Sequence, residues 1–165
     1  MSSAATGIDE PQSPSRADES ASRKGIPVQV EWLILADGAQ VAGGKLYLLG
    51  GGWDVLNVNR DFPVEQHAAI AAAFKVPWIE TNQRHEVEIA IEDEDGAELL
   101  KVSGQVEVGR PPGIVQGQDQ RAQLAVDFNL KLERPGTYVI IARIDGTEGR
   151  RVPFRVLPRN TSGRP

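Results

Sequence analysis

The chain of 165 residues contains no cysteine. It therefore has no disulfide framework, no thiolate metal ligand and no thiol nucleophile. The absence of cysteine fits a reducing cytoplasm, which is the location we expect for the protein. Histidine occurs only twice, and neither His67 nor His85 has a second His or Cys at ligand spacing. We therefore expect no metal and no other cofactor.

Long apolar runs and an excess of basic residues are also missing. The longest apolar stretches, such as residues 68–74, are far shorter than the roughly 20 residues of a membrane-spanning helix. The first residues include early acids and no apolar segment, which argues against a secretory signal. Lys and Arg number 18 against 23 Asp and Glu, so the formal net charge is −5. We expect neither a membrane nor a nucleic-acid partner, because nucleic-acid binders usually present a basic face.

The two ends of the chain differ in composition from the middle. Residues 1–26 are rich in Ser, Ala, Pro and charged residues, and residues 159–165 are similarly polar. Such segments cannot bury enough apolar surface to offset about 1–2 kcal/mol of backbone ordering per residue. The composition therefore predicts a disordered polar tail at 1–26, a folded β-sandwich domain at 27–158 and a disordered end at 159–165.

The middle of the chain alternates apolar and polar residues in short runs that end at turn residues. This pattern predicts an all-β fold, a single immunoglobulin-like β-sandwich of about eight or nine antiparallel strands. The segment Pro135-Gly136-Thr137-Tyr138 precedes a β-rich run. A tyrosine at the start of such a strand often hydrogen-bonds back across the preceding corner, and we expect Tyr138 to do so.

The clearest strand pairing lies in the centre of the sequence. Apolar residues alternate with glutamates before Asp95-Gly96, and a second alternating run follows. Asp95-Gly96 supplies the two positive-φ positions of a two-residue type I′ turn. A shift of one residue would place apolar residues opposite polar ones, so the register is strongly specified. The predicted partners are His85 with Val106, Ile89 with Val102, Ile91 with Leu100, Glu86 with Gln105, and Glu88 with Ser103.

Residues 63–76 allow two interpretations. The alanine-rich stretch at 68–73 favours a helix on intrinsic propensity, and Pro63 suits the first helical position. As a strand, the segment would place Ile70 and Phe74 on one face. We favour the strand because the surrounding pattern is β and Pro77 ends the segment.

No local pattern indicates catalysis, and we expect a protein that is not an enzyme. No serine lies in a nucleophile elbow. The acidic run 92–96 lacks the spaced ligands of a calcium loop and is typical of a solvated hairpin tip. The glycines at 50–52 precede a β-rich run rather than a helix, which favours a bend over a phosphate-binding loop. An enzyme would have to combine His67 or His85 with a carboxylate from a distant strand.

The best binding candidate is the long connection that begins at residue 110. Two prolines stiffen it, and loops on a rigid sandwich commonly carry recognition, although a passive crossover between sheets explains it equally well. We therefore predict a binding or assembly module that presents this loop or an edge strand to a protein partner, with self-association through an edge as a further option. An alternative is a small-molecule or carbohydrate binder that uses Trp53 or Trp78 as a stacking platform. The candidate binding residues are Arg110, Pro111, Pro112, Gly113, Ile114 and Val115.

Five segments together form a recognisable pattern. They are residues 30–37 (VEWLILAD), 50–53 (GGGW), 76–78 (VPW), 108–113 (VGRPPG) and 135–138 (PGTY). In these segments the chain resembles an uncharacterised family of small bacterial β-rich proteins. The resemblance covers nearly all of the predicted domain and excludes the tail. It implies a bacterial origin and a β-rich fold, and it implies no activity, ligand or catalytic residue.

Overall fold

The computed structural model describes residues 27–158, so the predicted disorder of 1–26 and 159–165 lies outside the described residues. The described part is all-β, with ten strands and one short 3₁₀ helix, Trp78–Glu80. Within it, no helix is long and apolar enough to cross a membrane. The strands are β1 (Gln29–Ala36), β2 (Gly38–Ala42), β3 (Lys45–Leu49), β4 (Val55–Val58), β5 (Val64–Val76), β6 (Arg84–Asp93), β7 (Glu98–Glu107), β8 (Gln120–Leu132), β9 (Gly136–Ile144) and β10 (Thr147–Pro158).

The strands form three sheets. One has the order β1-β5-β8, a second has the order β4-β10-β9-β6-β7 and is curled into a half-barrel, and the third consists of β2 and β3. The structure has ten strands where about eight or nine were predicted; residues 38–42, which follow a bend at Asp37, form the additional strand β2. The expectation of purely antiparallel pairing is also wrong, since β4 runs parallel to β10.

The main core lies between the three-stranded and five-stranded sheets. The alternating apolar residues of the strands point into it, as predicted from their period of two. A single cluster of buried residues joins both sheets. Its most deeply buried large side chains are Phe74, Ile70, Ile91, Leu132, Ile140, Val76 and Val156.

The ambiguous segment 63–76 is the strand β5, as favoured above. Its alanine run is explained by burial on both faces. One face joins the main core, while Ala69 and Ala71 join a second cluster beneath the β2–β3 hairpin. Alanine side chains are short, so the hairpin can pack closely over the outer face of this sheet.

The β6–β7 hairpin has the predicted register from Arg84–Glu107 to Ile91–Leu100. The predicted turn type is wrong, because the loop has three residues rather than two. The Asp93 side chain accepts hydrogen bonds from the N–H groups of Asp95 and Ala97, and Gly96 alone adopts the positive φ. Between Glu92 and Ile91 the register shifts by one residue, which compensates for the extra loop residue. The pairs from Ile91 back to Arg84 are therefore the predicted ones.

The predicted hydrogen bond of Tyr138 is confirmed. Its hydroxyl donates to the Arg134 carbonyl at 2.7 Å, across the Pro135-Gly136 corner. The ring stacks on Phe154 at 5.6 Å between centroids. β9 lies between β6 and β10, and both of its faces are largely apolar.

Candidate binding cleft

A glycine interrupts the core-facing row of β7. In the β6–β7 register Gly104 pairs with Val87, between the pairs Ile89–Val102 and His85–Val106. A Cβ atom built on Gly104 would lie 3.9 Å from Cγ2 of Val87 and within 4 Å of nothing else. Gly104 therefore leaves space where the neighbouring residues of the row place aliphatic side chains.

This space belongs to a cleft of about 260 Å³ between the β6–β7 hairpin and β8, which we call the β7–β8 cleft. Its polar residues are few: Ser103 and Gln105 of β7 and Gln123 of β8. Most of its wall is aliphatic, so the sandwich core can be reached from outside on this side. The aliphatic lining residues are Val87, Ile89, Val102, Val106, Leu124 and Val126.

Two strand edges border the β7–β8 cleft. β7 is the last strand of the five-stranded sheet, and β8 is the last strand of the three-stranded sheet. Each is hydrogen-bonded on one side only, and no strand within residues 27–158 joins them. Both edges therefore carry backbone donors and acceptors that an added strand could use.

The middle of each edge carries no charge. Residues 102–106 of β7 and 122–126 of β8 include no Asp, Glu, Lys or Arg. Natural edge strands are commonly blocked by charges, especially lysine, or by proline. Where these two edges face the cleft, they carry neither a charged residue nor a proline.

The charged residues at the ends of these stretches are already paired. Lys101 contacts Glu88 at 2.7 Å and Arg121 forms an ion pair with Glu31. Their ion pairs lower the pKa values of the Glu88 and Glu31 carboxyl groups. Glu107 is paired with Arg84 at 3.2 Å, and Asp127 accepts a hydrogen bond from the Ala39 N–H at 3.4 Å.

The predicted binding residues 110–115 lie in the connection 108–119, which joins β7 to β8 at one end of this cleft. Arg110 is fixed within the protein rather than free. Its Nε donates to Thr81 Oγ1 at 2.6 Å, its Nη2 donates to the Trp78 carbonyl at 2.9 Å, and its guanidinium lies 4.4 Å from the centre of the Trp78 ring. Arg110 therefore anchors the loop to the short 3₁₀ helix.

The rest of the loop projects outward. Pro111, Pro112 and Gly113 are exposed, and Val115 is 69% exposed. Ile114 is half-buried. Its N–H donates to the Pro111 carbonyl at 3.3 Å, so the prolines and a local turn hold the loop in shape.

The tryptophans expected as stacking platforms are engaged by other side chains. Trp53 packs edge-on against Phe154 with ring centres 6.0 Å apart, and its Nε1 donates to Asp37 at 3.1 Å. One face of Trp78 is covered by Arg110. Each ring is half-buried and already contacts another side chain of the protein.

The structure brings His85 to a carboxylate from a distant turn, a pairing that the sequence left open. His85 Nδ1 donates to Asp145 at 2.8 Å, Nε2 donates to the Glu80 carbonyl at 3.0 Å, and the residue is 5% exposed. Burial lowers its pKa, but the hydrogen bonds and negative charges of Asp145 and Glu80 raise it more, so the pKa lies above its ordinary value. With both nitrogens engaged, the imidazole joins three chain segments and has no nitrogen left for a substrate.

His67 lies on the exposed outer face of the three-stranded sheet. Its Nδ1 is 3.3 Å from Asn129 Oδ1, and its Nε2 is 3.7 Å from Asp127. Within residues 27–158 there is no group of three or more His, Asp or Glu side chains arranged to hold a metal ion.

Comparison with known proteins gives a family and a distant structural likeness. The model described as "Family of unknown function (DUF6941)" matches residues 31–157, in agreement with the resemblance stated from the sequence. No curated protein matches the chain. Among solved structures, a Pseudomonas fluorescens alkylpurine DNA glycosylase, AlkC, bound to DNA containing an abasic site analog, is similar at 13% identity and a TM-score of 0.43. The match covers 80% of this chain and 31% of that chain, and at this score it carries no argument about function.

Proposed function

Because the chain belongs to DUF6941, a family of unknown function, we propose a function from its geometry: a non-catalytic binding module that takes an extended segment of a protein partner into the β7–β8 cleft. The observation that carries the proposal is Gly104. Its missing side chain opens the core between two strand edges that have no partner within residues 27–158.

Strand addition suits this geometry energetically. A partner strand gains backbone hydrogen bonds, each contributing about 0.5–1.5 kcal/mol, along either edge. Each fully buried Val or Leu side chain of the partner contributes about 1.5–3 kcal/mol more. Val102 and Leu124 are half-buried in the free protein, so their remaining surface would also be covered.

The lining defines the chemistry of the partner segment. Because alternate residues of a strand point to the same side, the segment should carry aliphatic residues at every second position. The charges beside the cleft are paired internally, as in Lys101–Glu88 and Arg121–Glu31. Binding should therefore depend weakly on salt, unlike an interface that forms by attraction between unpaired charges.

The loop of residues 110–115 is the second part of the proposed surface. It crosses from β7 to β8, so a segment lying in the cleft would meet it at one end. Arg110 would act by holding the loop against Trp78, while Val115 would contact the partner directly.

The immunoglobulin-like character of the sandwich is also a proposal. The corner hydrogen bond of Tyr138 supports it, because the same bond recurs in immunoglobulin-like domains. A cytoplasmic location is supported by the absence of cysteine, and the net charge of −5 favours protein over nucleic-acid partners. Cell fractionation and nucleic-acid binding assays test these two points.

The small-molecule alternative receives no support from a specific contact, since Arg110 covers one face of Trp78 and Trp53 packs edge-on against Phe154. Fluorescence of the tryptophans in the presence of a sugar or nucleotide library tests it. A saturable shift would favour that function over protein binding.

The experiment that tests the proposed function is affinity capture with the full chain as bait, compared with a Gly104→Val variant. The added side chain fills the cleft from the inside, so a partner that binds there should be lost. Because the variant is expected to fold at least as well as the natural protein, loss of binding cannot be attributed to unfolding.

Two control variants make this result specific. Val55→Thr changes an exposed valine of β4, the strand at the opposite edge of the five-stranded sheet, and should retain the partner. Replacement of residues 110–115 should weaken capture, because the loop is proposed to border the bound segment. Capture that is equal for the natural protein and Gly104→Val would overturn the assignment of the cleft.

A further inference from the structure

The short 3₁₀ helix is held by two side chains from different parts of the fold. None of its three residues is buried, so core packing does little to fix it. At its end, His85 of β6 donates to the Glu80 carbonyl at 3.0 Å. Arg110 donates to the Trp78 carbonyl at 2.9 Å and to Thr81 Oγ1 at 2.6 Å. The helix therefore connects His85 to the loop that Arg110 anchors.

Both hydrogen-bond partners of the His85 imidazole are acceptors. Nδ1 lies 2.8 Å from the Asp145 carboxylate, and Nε2 lies 3.0 Å from the Glu80 backbone carbonyl. A neutral imidazole carries one N–H and one lone pair, so it can donate to one of these partners but not to both. At 5% exposure, water has little access to replace a lost bond. The geometry is therefore satisfied by the imidazolium, which carries a proton on each nitrogen.

The two bonds differ in strength, and the difference decides which of them is lost when the proton leaves. The Asp145 side chain is held in place, since its Oδ1 accepts a hydrogen bond from the Glu86 N–H at 2.9 Å. A charged acceptor holds an N–H more strongly than a neutral carbonyl does. The remaining proton therefore stays on Nδ1. The lone pair of Nε2 then faces the Glu80 carbonyl oxygen, which repels it.

The charged groups that face the imidazole favour its proton. Asp145 reaches it from the β9–β10 turn, and Oε2 of Glu80 lies 4.0 Å from Nε2. β7 places the apolar Val106 opposite it, while Arg84 and Glu86, its neighbours on β6, project to the other face of the sheet. Burial lowers the pKa of the imidazole, but the two acids raise it more. The proton is therefore bound below the ordinary value of about 6.5 and is lost as pH rises through the raised pKa.

We propose that protonated His85 is a pH-sensitive tie, which holds the 3₁₀ helix at low pH and releases the Glu80 carbonyl when its proton is lost. Release frees the end of the helix beside Thr81, whose hydroxyl is one of the groups that Arg110 holds. The loop of residues 110–115 is then less firmly fixed at high pH. Weaker binding of a partner segment at high pH is a consequence that rests on the proposed function, whereas the response of the loop does not.

Amide hydrogen exchange of the full chain, followed by NMR together with the titration of the His85 ring, tests the tie. The Thr81 and Ile114 N–H groups close the local turns of the helix and the loop. Their protection factors should fall at least about threefold as His85 loses its proton. Protection of the Asp145 N–H should stay constant, because the turn keeps its own backbone bonds. Constant protection of Thr81 and Ile114 across the titration would overturn the proposal.

Histidine variants separate the tie from a general effect of pH. His85→Gln does not titrate in this range, so protection of the loop should no longer change with pH. His67→Gln is the matched control, because it removes the exposed histidine of the three-stranded sheet, and it should keep the change. A change of the natural size in His85→Gln, or its loss in His67→Gln, would overturn the proposal.

Asp145→Asn tests the direction of the effect. It removes the charge that favours the imidazolium, so the midpoint of the change in protection should move to lower pH by about one unit or more. A midpoint that stays in place would contradict the role given to Asp145. All of these measurements use the protein without a partner, so failure of the tie and failure of the β7–β8 cleft remain distinguishable.

Discussion

Gly104→Val should stabilise the protein, which is unusual for a change in a packed β-sandwich. The glycine lies in the interior of β7, where glycine costs about 0.5–1 kcal/mol relative to alanine because of its backbone entropy. No positive φ is required at this position, so a side chain is compatible with the backbone.

The size of the effect follows from the contacts at the site. The Cβ atom would meet only Val87, at an ordinary van der Waals distance of 3.9 Å. The two further methyl carbons of valine enter the cleft, where each buried carbon contributes up to about 0.8 kcal/mol. Since the cleft is open to solvent, we take about half of that value. The sum is a gain of about 1.5 kcal/mol in the free energy of unfolding.

Thermal and urea unfolding of three proteins measure this gain. Gly104→Ala should recover only the backbone contribution, and Gly104→Val should add the contribution of filling the cleft. For a domain of this size the total corresponds to a rise in Tm of about 6 °C. A valine variant that is no more stable than the alanine variant would refute the conclusion that Gly104 leaves an apolar space.

Substitutions at three other contacts should lower the stability of the protein rather than raise it. Tyr138→Phe removes the hydroxyl that donates across the corner, and urea denaturation should show a loss of about 1–2 kcal/mol; an unchanged midpoint would show that the bond is not stabilising. Gly149→Ala places a Cβ atom 2.6 Å from Cγ2 of Val30 and should cost about 1–3 kcal/mol by the same assay, whereas a neutral result would mean that β1 moves freely against β10. The raised pKa of His85 means that its pairing with Asp145 stabilises fully below the ordinary histidine pKa of about 6.5, and that this contribution is lost as pH rises through the raised value. The Tm difference between the natural protein and His85→Gln should therefore shrink as pH rises, and a difference that grows would contradict the assignment of a charged imidazole.

The register of the central hairpin could be predicted because a register shifted by one residue would place apolar residues opposite polar ones. The turn could not, since the decisive interaction is local: Asp93 captures two backbone N–H groups and enlarges the loop by one residue. The strand β2 was missed for a related reason. Its residues have weak strand propensity, and it is held by pairing with β3 and by packing against alanines that are distant in sequence.

Only the β7 side of the candidate cleft could be recognised from the sequence. The predicted register already places Gly104 in the apolar row of β7, opposite Val87, so the missing side chain could have been recognised. What the sequence could not show is that β8 lies across from this gap, because that depends on how the two sheets pack. The contact of Arg110 with Trp78 and the pairing of His85 with Asp145 were hidden in the same way, since each joins residues that only the fold brings together.

The central claim is that the β7–β8 cleft binds a partner segment. Amide hydrogen exchange of the full chain, with and without a captured partner, tests it most directly. The account predicts that partner binding slows exchange in residues 102–106 of β7 and 122–126 of β8. Unchanged exchange in both stretches, with protection confined to other parts of the chain, would contradict it.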